Sequence, residues 1–361
     1  MNNRLSELLN ERGVLLADGA MGTNLFTAGL QTGDAPELWN IDHPDRINDL
    51  HQSFVDAGSD IILTNTFGGT SYRLKLHNAD NRVSELNIAG AKIAKQAAKR
   101  ADKTVLVAGS MGPTGEILAP NGPVSIEEAA AAFKEQGEAL KEGGADILWI
   151  ETISSAEEIE AAVLGASQIG LPIVYTVSID TNGRTMMGLT ASDTLNISTR
   201  LNSNITAVGT NCGVGASEVV AAVLNFRTAY SGDMEPLAIV AKANCGIPEY
   251  VDGKVVYNGT PELMAQYAAL SIDAGANIIG GCCGTTPGHV KSMRDAIDAH
   301  LQNNAGDTNK TPDLTHIESI LGEVSVGAKA QLSGDLSVAG GSASGRGTRT
   351  SKRRRKSASA D

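Results

Sequence analysis

At 361 residues, 42% of them hydrophobic, the chain is long enough to bury a sizeable core as one large domain or two ordinary ones. Its four cysteines lack paired spacing, which argues against a disulfide framework and for metal or catalytic use in a reducing compartment. The net charge of −12 is uneven: residues 341–361 carry seven basic side chains against one acid, a local +6, leaving −18 on the rest. So acidic a body disfavours nucleic acid as a partner. The Ser/Gly/Ala-rich basic end is expected to be a solvated, disordered tail, an RNA- or phosphate-binding arm being the weaker alternative. No stretch approaches the roughly 20 apolar residues of a membrane span, and the start lacks the apolar segment of a signal peptide. A cytoplasmic protein with no membrane partner is therefore expected.

Residues 1–12 read as a lead-in helix. Strands are predicted over 14–18, 60–66, 104–110, 146–152, 173–179, 206–212, 237–243 and 277–283. Their apolar character is continuous rather than alternating, as in parallel strands buried on both faces. Helical patterns fill the intervals at 44–58, 81–101, 125–143, 155–169, 191–202, 216–230, 260–275 and 287–301. Ser125 ahead of Glu127 and Glu128, and Thr260 ahead of Pro261, are the expected N-caps. Eight alternating units predict a single (β/α)8 barrel of the TIM type over 1–302, with a doubly wound open sheet as the rival. Residues 303–361 are expected to form a low-complexity, disordered tail.

In such a barrel catalytic side chains come from the C-terminal ends of strands. That rim collects Asp18 and Gly19, Asn65 and Thr66, Ser110, Glu151, Asn211 and Cys212, and Cys282 and Cys283. Gly280-Gly281-Cys282-Cys283-Gly284 and Asn211-Cys212-Gly213 carry the chemistry. Adjacent cysteines on a strand point to opposite faces, so they converge on one ion only where glycine permits a turn. Three thiolates leave one tetrahedral position for a substrate, the pattern of a catalytic zinc site rather than a closed structural one. Cys245 is expected to be an ordinary loop cysteine, with a fourth-ligand role as the alternative.

Together Asp18-Gly19-Ala20-Met21-Gly22-Thr23, Thr64-Asn65-Thr66-Phe67, Gly109-Ser110-Met111-Gly112-Pro113, Ile150-Glu151-Thr152 and the two cysteine motifs resemble the homocysteine S-methyltransferase family. That family includes betaine–homocysteine methyltransferases and the homocysteine-binding module of cobalamin-dependent methionine synthase. The resemblance covers about 12–300 and implies zinc held by Cys212, Cys282 and Cys283. Homocysteine would then be the substrate and methionine the product. Asp18 and Glu151 would hold the substrate ammonium, backbone amides of the glycine turns its carboxylate, and Gly19, Thr66, Ser110 and Asn211 would complete the pocket.

The donor is read as a small onium, glycine betaine first, with Trp39 supplying an aromatic face. Animal betaine enzymes carry aromatic residues where this chain has Gly68 and Thr152. The alternatives are a homocysteine-activating subunit of a split methionine synthase working with a corrinoid protein, and a metal-free barrel lyase or isomerase. A homo-oligomer is left open.

Overall fold

The computed structural model describes residues 3–201, 203–230, 237–251, 254–303 and 311–338. In chain order the first elements are α1 (Arg4–Arg12), β1 (Leu15–Leu16), α2 (Gly22–Thr27), α3 (Trp39–Asp42), α4 (Pro44–Asp56), β2 (Ile61–Leu63), α5 (Ser71–Lys75) and α6 (Val83–Ala98). They are followed by β3 (Leu106–Met111), α7 (Ile126–Gly143), β4 (Ile147–Ile153), α8 (Ala156–Ser167), β5 (Ile173–Val177), α9 (Ala191–Leu201), β6 (Ile205–Cys212), α10 (Ala216–Ala229) and β7 (Ala238–Ala243). After these come β8 (Pro248–Val251), β9 (Lys254–Tyr257), α11 (Pro261–Ala274), β10 (Ile278–Gly281), α12 (Pro287–Asn303), α13 (Leu314–Leu321) and α14 (Val326–Leu332).

Eight parallel strands pair in the order β1-β10-β7-β6-β5-β4-β3-β2. A bridge from Ala17 to Ile61 joins β1 to β2 and closes the ring, so the barrel is the architecture and the open sheet is excluded. Each predicted strand is present. The predicted caps form too: Ser125 and Glu128 make a reciprocal capping box, and Thr260 accepts the Leu263 N–H.

The pleat sorts side chains by parity. Leu15 and Ala17, Ile61 and Leu63, Leu106 and Ala108, Ile147 and Trp149, with Val174, Ala207, Val240 and Ile278, fill the interior, and Leu5 and Leu8 of α1 plug its lower end. Their neighbours, Leu16, Ile62, Val107, Leu148 and Ile150, face the surrounding helices in the larger outer core. Counting onward from the interior set in steps of two, one step on β3, β4 and β7 and two on β6, reaches Ser110, Glu151, Lys242 and Asn211. The alternation that packs the barrel therefore aims these four polar groups into its mouth, above Trp149.

Two parts of the fold depart from the sequence expectation. Strands β8 and β9 pair antiparallel as a hairpin after β7, where only a loop was expected. In the segment expected to be a disordered tail, residues 311–338 instead form α13 and α14 against the barrel, burying Ile317, Val324 and Ala328. The basic end, Arg346 to Lys356, lies outside the described residues. Among the described residues no helix is long and apolar enough to cross a membrane.

Candidate active site

The C-terminal mouth of the barrel opens into a cavity of about 330 Å³. It is lined by Asp18, Gly19, Thr66, Ser110, Glu151, Cys282 and Cys283, so most residues expected at the rim share one space.

The sulfur atoms of Cys212, Cys282 and Cys283 lie within 4.8 Å of one another, and all three residues are half-buried. A tetrahedral zinc with bonds of about 2.3 Å separates its sulfurs by about 3.8 Å, so the trio needs only a small contraction. Backbone geometry makes the convergence. Cys212 has φ +64°, in the left-handed region, which turns its side chain back over the barrel. The Cys282 N–H donates to Ala243 O at 2.7 Å and the Cys283 N–H to Asn244 Oδ1 at 3.0 Å, fixing the turn that brings both sulfurs to one side. Gly284 sits at φ +79°, and a Cβ there would meet the Tyr257 ring at 2.4 Å. The missing side chain makes room for the Tyr257 ring, on the unexpected hairpin, beside the cysteine turn.

Hydrogen bonds within the trio pull in both directions. With burial added, they push Cys212 up to about 11 and Cys282 and Cys283 up to about 12. Three such thiols hold their protons at neutral pH unless a dication compensates three negative charges, and zinc fits this donor set. Cys245 is not one of them: it is buried, and its thiol donates to Gly259 O at 3.2 Å.

Deeper in the mouth, Asp18 Oδ1 lies 3.1 Å from Lys242 Nζ, and Asp18 Oδ2 accepts the Leu63 N–H at 2.7 Å. Glu151 Oε1 accepts from Ser110 Oγ at 2.5 Å. Burial pushes both carboxyls above their ordinary range, with Lys242 pulling each back. Burial pulls Lys242 down, but Asp18 and Glu151 outweigh it and hold the ammonium charged. With both carboxyls ionised, they exceed the one ammonium by a single negative charge.

Asn211 is a brace for this layer. It accepts from the Thr152 N–H at 2.9 Å and from Thr176 Oγ1 at 2.7 Å, and its amide donates to Thr152 Oγ1 at 2.7 Å. It tethers the end of β4, where Thr152 has φ +67°, to the strand that carries Cys212. Thr66 Oγ1 donates to Ser110 O at 2.8 Å, tying β2 to β3.

Trp39 is the exception among the expected site residues. It is 7% exposed, packs with Leu25, Leu30, Ile47 and Ile93, and does not line the cavity. The Arg46 guanidinium covers its ring at 5.0 Å. The expectation of a donor-facing Trp39 is corrected accordingly: its apolar ring is consumed by packing between α2, α4 and α6. Its neighbours Pro36 and Glu37 line the cavity instead, together with Phe67, Arg73, His77 and Lys242, none of which the sequence reading placed in the site. Only Lys242 carried a signal, a lone lysine inside the apolar run Ala238-Ile239-Val240-Ala241-Lys242-Ala243.

A family model described as homocysteine S-methyltransferase matches residues 15–297. The methionine synthase of Mycobacterium tuberculosis (strain ATCC 25618 / H37Rv) is 28% identical over 315 residues, covering 81% of this chain, which spans only 25% of that relative's length. Among solved structures, the homocysteine methyltransferase MmuM from Escherichia coli matches in its oxidized form (26% identity, 81% of this chain and 99% of that one, TM-score 0.66). Its metallated form matches at 25% identity over the same shares, with a TM-score of 0.68.

Proposed function

This chain belongs to the homocysteine S-methyltransferase family, and from that premise we propose that it transfers a methyl group from a small onium donor, glycine betaine first, to the sulfur of L-homocysteine, giving methionine. The observation that carries the reading is the cysteine trio at the edge of the cavity that also holds Asp18 and Glu151. Zinc bound by the Cys212, Cys282 and Cys283 thiolates supplies the Lewis acidity that keeps a substrate thiol deprotonated at neutral pH.

The chain's own residues bind and orient. The uncompensated negative charge shared by Asp18, Glu151 and Lys242 matches one substrate ammonium, which would donate a charge-assisted hydrogen bond to Glu151. Ser110 holds Glu151 in place for it. Asn211 fixes the spacing between that ammonium site and Cys212. Homocysteine has a sulfur two carbons beyond the carbon that bears its ammonium, so it can span from the carboxylates to the cysteine trio. A lyase or isomerase role would leave the three converging thiols without use.

The methionine synthase relative supports a second reading, in which the methyl group comes from a corrinoid protein. A donor panel separates the two. Purified protein should hold about one zinc per chain and form methionine from betaine or dimethylsulfoniopropionate with no corrinoid added. Cys282→Ala should lose both metal and turnover, and Cys245→Ala neither. Turnover with methylcobalamin alone would overturn the onium reading in favour of the second one.

A further inference from the structure

The cavity has a second charged region that the homocysteine reading does not use. Glu37, in the segment before α3, is only 5% exposed yet lines the cavity. Its Oε1 accepts the Gly68 N–H at 2.6 Å, and it forms no ion pair within 4 Å among the described residues. The carboxylate occupies space that glycine leaves, since a Cβ on Gly68 would lie 2.9 Å from Glu37 Oε1. Beside it Phe67, 38% exposed, contributes an aromatic ring to the same cavity. Arg73 and His77 line the cavity too, and Arg73 likewise makes no ion pair among the described residues. A buried carboxylate next to an aromatic ring, with an unpaired guanidinium on the same wall, complements a ligand that is cationic at one end and anionic at the other.

We propose that Glu37, Phe67 and Arg73 form the methyl-donor subsite, Glu37 and Phe67 taking the onium group and Arg73 the carboxylate of a small zwitterion. This rests on the onium reading above and deepens it by naming the residues. Burial pushes the Glu37 carboxyl up, backbone hydrogen bonds including that from Gly68 pull it back, and Arg73 and His77 add to that pull, so a ligand cation favours its ionised form. In the reaction the homocysteine thiolate forms a bond to the methyl carbon as the bond from that carbon to the onium atom breaks. The electron pair stays on the onium atom, which leaves as a neutral amine or thioether. The donor's positive charge therefore fades along the reaction, and Glu37 favours the bound donor rather than the transition state. Its contribution belongs in KM more than in kcat.

The test is Glu37→Gln in the full zinc-loaded protein, which keeps an acceptor for the Gly68 N–H and removes only the charge. The donor KM should rise roughly 10- to 100-fold, with kcat not lowered and with zinc content and the homocysteine KM unchanged. A variant-free arm uses the unsubstituted protein with carbon isosteres, 3,3-dimethylbutanoate for betaine and 4-methylpentanoate for dimethylsulfoniopropionate. Each isostere should compete at least about tenfold more weakly than its onium counterpart binds. Onium turnover with an unchanged donor KM in the variant, or isosteres that bind as well as the donors, would overturn the subsite while leaving the methyltransferase reading intact. No onium turnover by the unsubstituted protein would overturn both.

Discussion

Lys242 shows how much a single buried charge decides here. The ammonium sits on the barrel interior, 3.1 Å from Asp18 and 5.5 Å from the centre of the Trp149 ring. Its cost of desolvation is offset only because two carboxylates share it, and each carboxylate relies on it in turn. Lys242→Met should therefore destabilise the protein by about 3–5 kcal/mol, the usual cost of removing one partner from a buried pair. Chemical denaturation measures this, and adding Asp18→Asn should recover part of the loss because the stranded carboxyl is gone. A wild-type denaturation midpoint for Lys242→Met would show that the pair contributes nothing. The three cysteines and two acids of the mouth were readable because their motifs mark strand ends. Glu37 and Phe67 were not, since a carboxylate ahead of a short helix and a phenylalanine after a strand are ordinary in sequence and become a pair only through the fold.

At the scale of elements, the eight strands and the long helices were legible because each carries its own period and cap. The short helices α2, α3 and α5 were not: four to six residues hold too little periodicity, and their place is set by packing across the mouth. The β8–β9 hairpin had a usable sign in Asp252-Gly253 between two apolar runs, but it stood inside what looked like an ordinary strand-to-helix loop.

Helix α4 offers a test of burial as a determinant. Ile47, His51, Phe54 and Val55 form its inward face, and both His51 ring nitrogens are buried without a hydrogen-bond partner. Burial lowers its pKa to about 4 from an ordinary 6.5. Below pH 6.5 the unfolded chain takes a proton that the folded one refuses, so this residue's contribution is intact above 6.5 and is lost as the pH falls towards 4. Two and a half pH units correspond to about 3 kcal/mol. Relative to His51→Leu, the wild-type protein should lose about that much stability between pH 7 and pH 4 in denaturant titrations. Parallel curves for the two proteins would mean that His51 protonates within the fold.

At the scale of the whole molecule, the barrel is completed by a segment that composition alone presents as a tail. Residues 311–338 are rich in small and polar types, and their helices, of eight and seven residues, are too short to be stable alone. They hold by docking. Ser325 N–H donates to Glu218 Oε1 at 2.5 Å, the Asn182 N–H donates to Ser325 Oγ at 2.9 Å, and Gln331 Nε2 donates to Gly183 O at 2.9 Å. Glu218 opens α10 and Asn182 lies between β5 and α9, so the segment clamps two neighbouring loops and covers the apolar face of α10. Removing residues 304–361 would expose that face and strip Glu218, whose carboxyl burial pushes up, of both its hydrogen bonds from Ser325. Loss of the buried Ile317, Val324 and Ala328 contacts should cost roughly 2–4 kcal/mol. In a chain of this size that lowers Tm by about 3–6 °C. Zinc content and the homocysteine KM should survive, because none of the cavity residues touches the segment through a described hydrogen bond. Differential scanning calorimetry of the shortened protein decides the matter, and an unchanged Tm would mean that α13 and α14 rest on the barrel without supporting it.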